Sequence, residues 1–390
     1  MKKRILSILL LCCMVLTMVL TMLPTTAFAA GELPDVKLSV PTTFDKIVDL
    51  TEQNKELKIK DSKTYLIKGS TDPNWYFQYR IKIDGKNNTP HIFLDGVRLQ
   101  APKDGPAIEL YGGASACLYF IGGDSELIGA ENFAALQKNK TDGYLRVLVR
   151  TGTKLTCEGG RYGAGIGGSK VGIKKFSQGH GMNLHFGSLA TDIYGGEISA
   201  ISGVYGAGIG GGDSGIGEDI TITGGTVNAD GGDNGAGIGG GATGSGSNVT
   251  VSGAAQVTAT TGKSDGYYGA GATIGNGGNM TDDGQPVDGE EIQADIRGVT
   301  TGYIHHIIYE QDGTTIKREW WEPERPQPNP ESPQPTPEDP NAPAGESNEV
   351  SLGTPGLHVE TLEGDLLPFD AQQQGSTLRV TSNTLAARLH

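Results

Sequence analysis

Between residues 92 and 276 a large apolar residue is followed two positions later by a small one, and the pair returns about every 29 residues. The large column reads Leu99, Leu127, Leu155, Ile198, Val227 and Val257, at spacings of 28, 28, 43, 29 and 30. The small column reads Ala101, Gly129, Cys157, Ala200, Ala229 and Ala259. Alternation at period two marks one buried face of a strand. Five to eight residues upstream a second strand carries Ile92, Tyr119, Val147, Thr191, Ile220 and Val249 in one column. Its other column holds Leu94, Ile121, Val149, Ile193, Ile222 and Val251. Downstream, Leu110, Leu136, Ile166, Ile209, Ile238 and Ile274 point inward from a third strand. Corners such as Gly195-Gly196 and Gly224-Gly225 supply the positive φ that sharp turns require.

Like positions recur once per repeat and never in mirrored order, which excludes a series of hairpins. Three short strands per repeat make one coil of a solenoid, whose core no single repeat can bury alone. Six coils at a strand spacing of about 4.8 Å extend roughly 29 Å, and parallel crossovers favour right-handed winding. The expected fold is all-β, a right-handed parallel β-helix. An outward column, Arg98, Glu126, Lys154, Glu197, Thr226 and Gln256, alternates in charge over four coils, as stacked strands favour. The 43-residue spacing exceeds the first by 15 residues, predicting a loop within Lys170–Ala190 that leaves the stack and carries His180 and His185.

Outside the repeats, 30–91 reads as an N-terminal cap and irregular first coil, with strand-like pieces at Leu57–Ile59, Tyr65–Ile67 and Arg80–Ile83. Residues 277–321 read as a C-terminal coil and cap, with strands at Ile292–Ile296 and Tyr303–Tyr309. Residues 322–349 form a Pro-rich extended linker, and 350–390 a small β module around Leu357–Leu362 and Ser376–Val380. With 61 Gly in 390 residues and 6% aromatics, a large helical core is excluded; lacking a three-residue glycine period, so is collagen.

Residues 1–29 have the features of a signal peptide: Lys2, Lys3 and Arg4, an apolar stretch from Ile5 to Leu23, then Ala27-Phe28-Ala29. An uncleaved anchor is the alternative. Cleavage removes three cations and takes the formal net charge from −14 to −17, which disfavours nucleic acid as a partner. No later apolar run reaches 18 residues, so no membrane span is expected after cleavage. Cys117 and Cys157 would remain, too few for a disulfide framework. An extracellular protein, secreted or loosely associated with the cell surface and monomeric, is expected.

The run Gly163-Ala164-Gly165-Ile166-Gly167-Gly168 recurs at Gly206–Gly211 and Gly235–Gly240 and decays over Gly269–Gly275. Together with Asp219-Ile-Thr-Ile-Thr-Gly-Gly-Thr-Val-Asn-Ala-Asp230 and Ile92-Phe-Leu-Asp-Gly-Val97, it resembles a family of secreted surface proteins of Gram-positive bacteria. The resemblance covers about 60–310. It implies a right-handed β-helix and carbohydrate binding; its motifs are specific for fold, and a fold does not set an activity. Neither a sortase-type Leu-Pro-x-Thr-Gly end nor a wall-binding repeat is present.

Catalysis by β-helix carbohydrate enzymes needs clustered carboxylates. The outward column Gln100, Ile128, Thr156, Ser199, Asn228 and Thr258 has none, and Asp95 and Asp192 stand several coils apart. Outward positions of the third strand are Gly165, Gly208, Gly237 and Gly271. No catalytic residue is therefore expected; a polysaccharide lyase or hydrolase with loop-borne acids is the enzymatic alternative. Asp213, Asp219, Asp230 and Asp233 fall at neighbouring corners and could offer oxygens to calcium, although Asp also favours turns for its own sake. His305 and His306 should face opposite ways on a strand. Tyr162, Tyr205 and Tyr268 precede successive glycine runs, with Asn234 in that place on the coil between the last two. Stacked coils would set these rings beside an open glycine face, suited to the flat apolar faces of a polysaccharide; alternatively they cover a corner of the core. Trp75 and Tyr76 form a second aromatic cluster, equally suited to packing a cap. The expected function is non-enzymatic polysaccharide binding, against a structural or adhesive scaffold without a ligand.

Overall fold

The computed structural model describes residues 37–324, apart from 38, 140–141, 173–178 and 311, and the backbone of five strands between 359 and 389. The expected signal peptide and the linker from 325 onward lie outside the described residues. Two compact units divide the chain, Met1–Pro326 and Gln327–His390.

The first unit is all-β and dominated by three long, largely parallel sheets. Its described helix is confined to two single turns, Leu50–Glu52 and Thr191–Tyr194. From His91 to Gly275 the chain visits the three sheets in fixed rotation. The upstream sheet runs from Lys46–Asp49 through strands such as His91–Asp95, Leu145–Val149 and Gly217–Ile222 to Asp295–Val299. The middle sheet begins at Arg98–Gln100 and ends at Tyr303–Tyr309, with Ile316–Glu322 added antiparallel. The downstream sheet runs from Leu57–Ile59 to Ile274–Gly275. This topology is compatible with a solenoid. Strands at Leu57–Ile59, Thr64–Lys68 and Ile81–Asp84 belong to the same sheets as the later repeats, and Phe77 bridges to Leu99 where the middle sheet starts. A single buried column of Ile, Leu, Val and Ala side chains extends from Leu50 to Ile304. Each fully buried Ile or Leu in it contributes about 1.5–3 kcal/mol.

In the middle sheet Leu155, Ile198, Val227 and Val257 stand in register, as do Cys157, Ala200, Ala229 and Ala259. One step earlier the expected register is corrected by two residues. Leu127 lies beside Cys157, and Leu155 beside Ser125. A shift of two leaves the same face inward, so the hydrophobic pattern survives it. The charge ladder is accordingly interrupted. Lys154 pairs with Glu197 at 2.7 Å, but Glu126 neighbours Thr156. In the downstream sheet Leu136 faces Ile108, and Leu110 faces Lys138.

Two upstream columns also differ from expectation. Ile92 and Leu94 neighbour Leu118 and Phe120, so Tyr119 and Ile121 turn outward, into a second apolar cluster with Phe93, Leu148 and Tyr194. Thr191 and Ile193 are not in a strand. The strand of that coil is Gly181–Phe186, with Phe186 beside Val147 and Ile222. The extra residues do not form one loop. Ile166 and Leu184 are 18 positions apart against 11 for Ile209 and Ile220. Leu184 and Ile198 are 14 apart against 7 for Ile220 and Val227, so two corners lengthen equally.

The glycine runs are not an open face. Gly165, Gly208 and Gly237 are buried, and a Cβ on any of them would lie within 2.8 Å of a neighbouring strand's backbone. Each run folds back on itself; the Ala207 amide donates to the Gly211 carbonyl at 2.9 Å. Gly210 combines φ +135° with a Cβ position 2.0 Å from the Gly239 carbonyl oxygen, so conformation and space both demand glycine there.

In the second unit Val359–Thr361 pairs antiparallel with Leu366–Leu367 and Ala387–Leu389, and Asp370–Gln374 with Thr377–Thr381.

Candidate functional site

Tyr162 and Tyr205 occupy the corner at which the chain passes from the middle to the downstream sheet. Successive corners are tied by backbone: the Tyr205 amide donates to the Arg161 carbonyl at 2.9 Å, and the Asp213 amide to the Tyr162 carbonyl at 2.9 Å. The tie brings the two half-buried rings into a stack, with centroids 5.2 Å apart and planes 16° from parallel. Two cations border it. The Arg161 guanidinium lies 5.6 Å from one ring centroid and 5.7 Å from the other. The Lys170 ammonium lies 3.7 Å from the Tyr162 centroid and pairs with Asp213 at 3.2 Å. Cations over tyrosine faces at such distances are attracted by the ring quadrupole.

On the next coil Asn234 replaces the tyrosine. It is fully buried, and its amide donates to the carbonyls of Tyr268 and Gly269 at 3.2 and 3.0 Å, fixing the corner that follows. There Tyr268, half-buried, meets the exposed Tyr267 edge to face at 4.8 Å. The Asp265 carboxylate accepts from both their amides, at 2.9 and 2.8 Å. Burial raises the Tyr268 pKa, and the charges of Tyr267, Asp213 and Tyr205 add to the shift. The three expected tyrosines therefore share one side of the stack, and Asn234 is the bracket between two ring groups. Stacked rings, two cations and hydroxyls can receive both the apolar face and the hydroxyl rim of a sugar. Of the carboxylates beside them, Asp213 is held by Lys170 and Asp265 by the two tyrosine amides.

Trp75 and Tyr76 are placed elsewhere. Trp75 packs partly buried, 6.0 Å from the buried Phe77, and the Tyr76 hydroxyl donates to Glu126 at 2.5 Å. Phe77 is separated from Cys157 by the strands of Leu99 and Leu127, so this cluster is not part of the tyrosine corner. Asp219 is bonded to the Asn248 side chain, and Asp230 accepts from Thr260 at 2.7 Å. Asp233 is half-buried, and its burial raises its pKa. Among the described residues no three His, Cys, Asp or Glu side chains are grouped as metal ligands. Asp95 accepts from the Gly123 amide at 3.3 Å, and Asp192 lies in the turn Thr191–Tyr194.

His305 and His306 do face opposite ways. His305 stacks on Trp321 at 4.2 Å and meets Glu319 at 2.6 Å. His306 is buried, stacks on Trp320 at 4.4 Å and bonds Thr273 at 2.6 Å.

The sequence pattern does not single out Arg161, Lys170 or Tyr267 as site residues. Their only sequence signal is adjacency: Arg161 precedes Tyr162, Tyr267 precedes Tyr268, and Lys170 closes the glycine run. Comparison with family models, curated proteins and solved structures finds no match to this chain.

Proposed function

We propose that this chain is a secreted or cell-surface right-handed parallel β-helix that binds polysaccharide without cleaving it, through the corner of Tyr162, Tyr205, Arg161 and Lys170. The carrying observation is the parallel stack of Tyr162 on Tyr205 at 5.2 Å, bordered by both cations. A ring face buried against a sugar contributes on the order of 1 kcal/mol. Ring groups repeated along one stack let weak contacts add along one glycan chain.

The rotation of the chain through three parallel sheets supports the β-helix, and crossover geometry supports its right-handed winding. An export-type leader and a formal charge of −14 support an extracellular glycan over nucleic acid as partner. Among the described residues no helix is long and apolar enough to cross a membrane. A non-enzymatic role is favoured because Asp213 is ion-paired with Lys170 and Asp265 accepts from two backbone amides, so neither is poised as general acid or base. No metal is invoked.

A glycan array probed with the exported protein tests the proposal. Binding to a defined set of neutral or acidic chains is expected. An array with no bound glycan would instead favour a ligand-free scaffold.

A further inference from the structure

The outward face of the upstream sheet carries Cys117, Arg146, His185, Thr221 and Thr250 side by side in one row. Arg146 is the anomaly. It is half-buried, and no hydrogen bond or ion pair of its guanidinium is present among the described residues. Its Nε is fully buried and lacks an acceptor. The groups around it bring no compensating charge at neutral pH. Burial pushes the Cys117 thiol up to about 11 and the Tyr144 hydroxyl higher still, while it lowers His185 to about 4. Lys138, which also acts on His185, is a second cation. The acid that acts on His185, Asp219, is bonded to Asn248 and lies beyond ion-pair distance of Arg146.

Taking a guanidinium partly out of water without a counter-charge is destabilising. In a chain of formal charge −14, such an unpaired cation calls for an anion from outside. The planar fork of Arg matches carboxylate and sulfate oxygens with two parallel hydrogen bonds.

Access is one-sided. Beyond Cys117 the row continues to His91, whose Nδ1 meets the hydroxyl of the buried Tyr119 at 2.9 Å; that hydroxyl also accepts from the Lys37 amide at 3.2 Å, and the Tyr194 hydroxyl donates to the Lys37 carbonyl at 2.6 Å, so the N-terminal segment closes this end. In the other direction His185, Thr221 and Thr250 are all partly exposed. They offer an uncharged imidazole and two hydroxyls at successive steps of about 4.8 Å. Asn183, Asp219 and Asn248, at φ of 55°, 56° and 51°, occupy one position on three consecutive strands beside them. That position is rarely populated by residues other than glycine, and Asn and Asp tolerate it best. Polar side chains thus line the open part of the row.

We propose that Arg146 is the anchor of an oxyanion-binding site on the upstream sheet, distinct from the tyrosine corner. It takes a carboxylate or sulfate group borne on a saccharide, whose neighbouring hydroxyls meet His185, Thr221 and Thr250. The proposal stands whether or not the tyrosines bind glycan.

Thermal unfolding of the exported protein tests it, with inorganic sulfate, D-glucuronate and dextran sulfate as probes. Sodium chloride at matched ionic strength and neutral dextran serve as controls. The unfolding temperature is expected to rise with an oxyanion probe above both controls, as binding to the folded state requires. Arg146→Gln should weaken the response at least about tenfold in probe concentration, the effect of losing a charge-assisted hydrogen bond. Arg146→Lys should retain part of it. In buffer without these anions Arg146→Met should melt above the parent, because the uncompensated charge is gone, and this arm does not depend on the choice of probe. Tyr162→Ala/Tyr205→Ala should respond to inorganic sulfate and D-glucuronate as the parent does. A response to all three probes assigns the site to the oxyanion itself; one confined to glucuronate and dextran sulfate assigns it to the saccharide-borne group. Either supports the proposal. An equal rise in the parent and Arg146→Gln, or no rise with any probe, overturns it.

Discussion

Cys157 lies between Leu127 and Ala200 in the middle sheet, while Cys117 stands on the upstream sheet in the outer apolar cluster. The two sulfurs thus belong to different packing layers, and both are free thiols. Burial raises both pKa values, so neither should be reactive in the folded protein. Alkylation of protein lacking residues 1–29 should add two labels under denaturing conditions and few under native ones. An intact mass showing no label after denaturation would reveal a disulfide and contradict the register.

Ile222 is fully buried between Phe186 and Val251. Ile222→Asp places an unpaired carboxylate among apolar side chains and should cost several kcal/mol, or bind a proton to avoid it. Thr221, its neighbour, faces outward and is half-buried, so Thr221→Asp should change stability by less than about 1 kcal/mol. Urea titration of both variants checks the contrast, and equal losses would show that the inward and outward faces are misassigned.

Two glycines separate conformational strain from lack of space. Gly112 has φ +69° with open space around its Cβ position, whereas Gly210 has φ +135° and the Gly239 carbonyl oxygen at 2.0 Å. Gly112→Ala should cost about 1–2 kcal/mol through backbone strain alone. Gly210→Ala must also push two strands apart and should be the more damaging by a wide margin. Comparable melting temperatures for the two variants would mean that the glycine corners are looser than their geometry indicates.

His306 is 2% exposed, and burial lowers its pKa from 6.5 to about 4. The unfolded chain therefore binds the proton first as pH falls, so stability drops between about pH 6.5 and 4, by up to roughly 3 kcal/mol. Glu322, raised by its own burial, acts in the opposite sense, so wild-type curves alone do not isolate the histidine. His306→Gln should show a shallower loss of urea midpoint over this window than the parent. Parallel curves would remove His306 as the cause.

The repeat from Leu155 to Val257 is legible because a large aliphatic residue and a small one recur at the two buried positions of each strand. The register of Leu127 is not legible in the pattern, because a shift of two keeps Leu127 and Cys157 both inward; only a side-chain volume, not a polarity, changes. Tyr119 lies one position off the pattern for a different reason. The outward face there is itself apolar, with Phe93, Tyr119 and Leu148 covered by the segment around Lys37, so alternation disappears. Gly181–Phe186 reads as loop in the sequence because lengthened corners on both sides move it away from the period. At the candidate site the tyrosine column was visible, but Arg161 and Lys170 were not, since their approach to the rings depends on how adjacent corners nest. Arg146 gave no signal at all, because a missing partner is a property of the folded surroundings.

The tyrosine corner is the centre of the functional account, and one comparison tests it most directly. Affinity electrophoresis of the parent and of Tyr162→Ala/Tyr205→Ala/Tyr268→Ala should be run against plant and mucin polysaccharides, with circular dichroism to confirm that the variant remains β-rich. The parent should be retarded by at least one polysaccharide and the triple variant should lose most of that retardation. Equal retardation of a folded triple variant would contradict a binding role for the tyrosines.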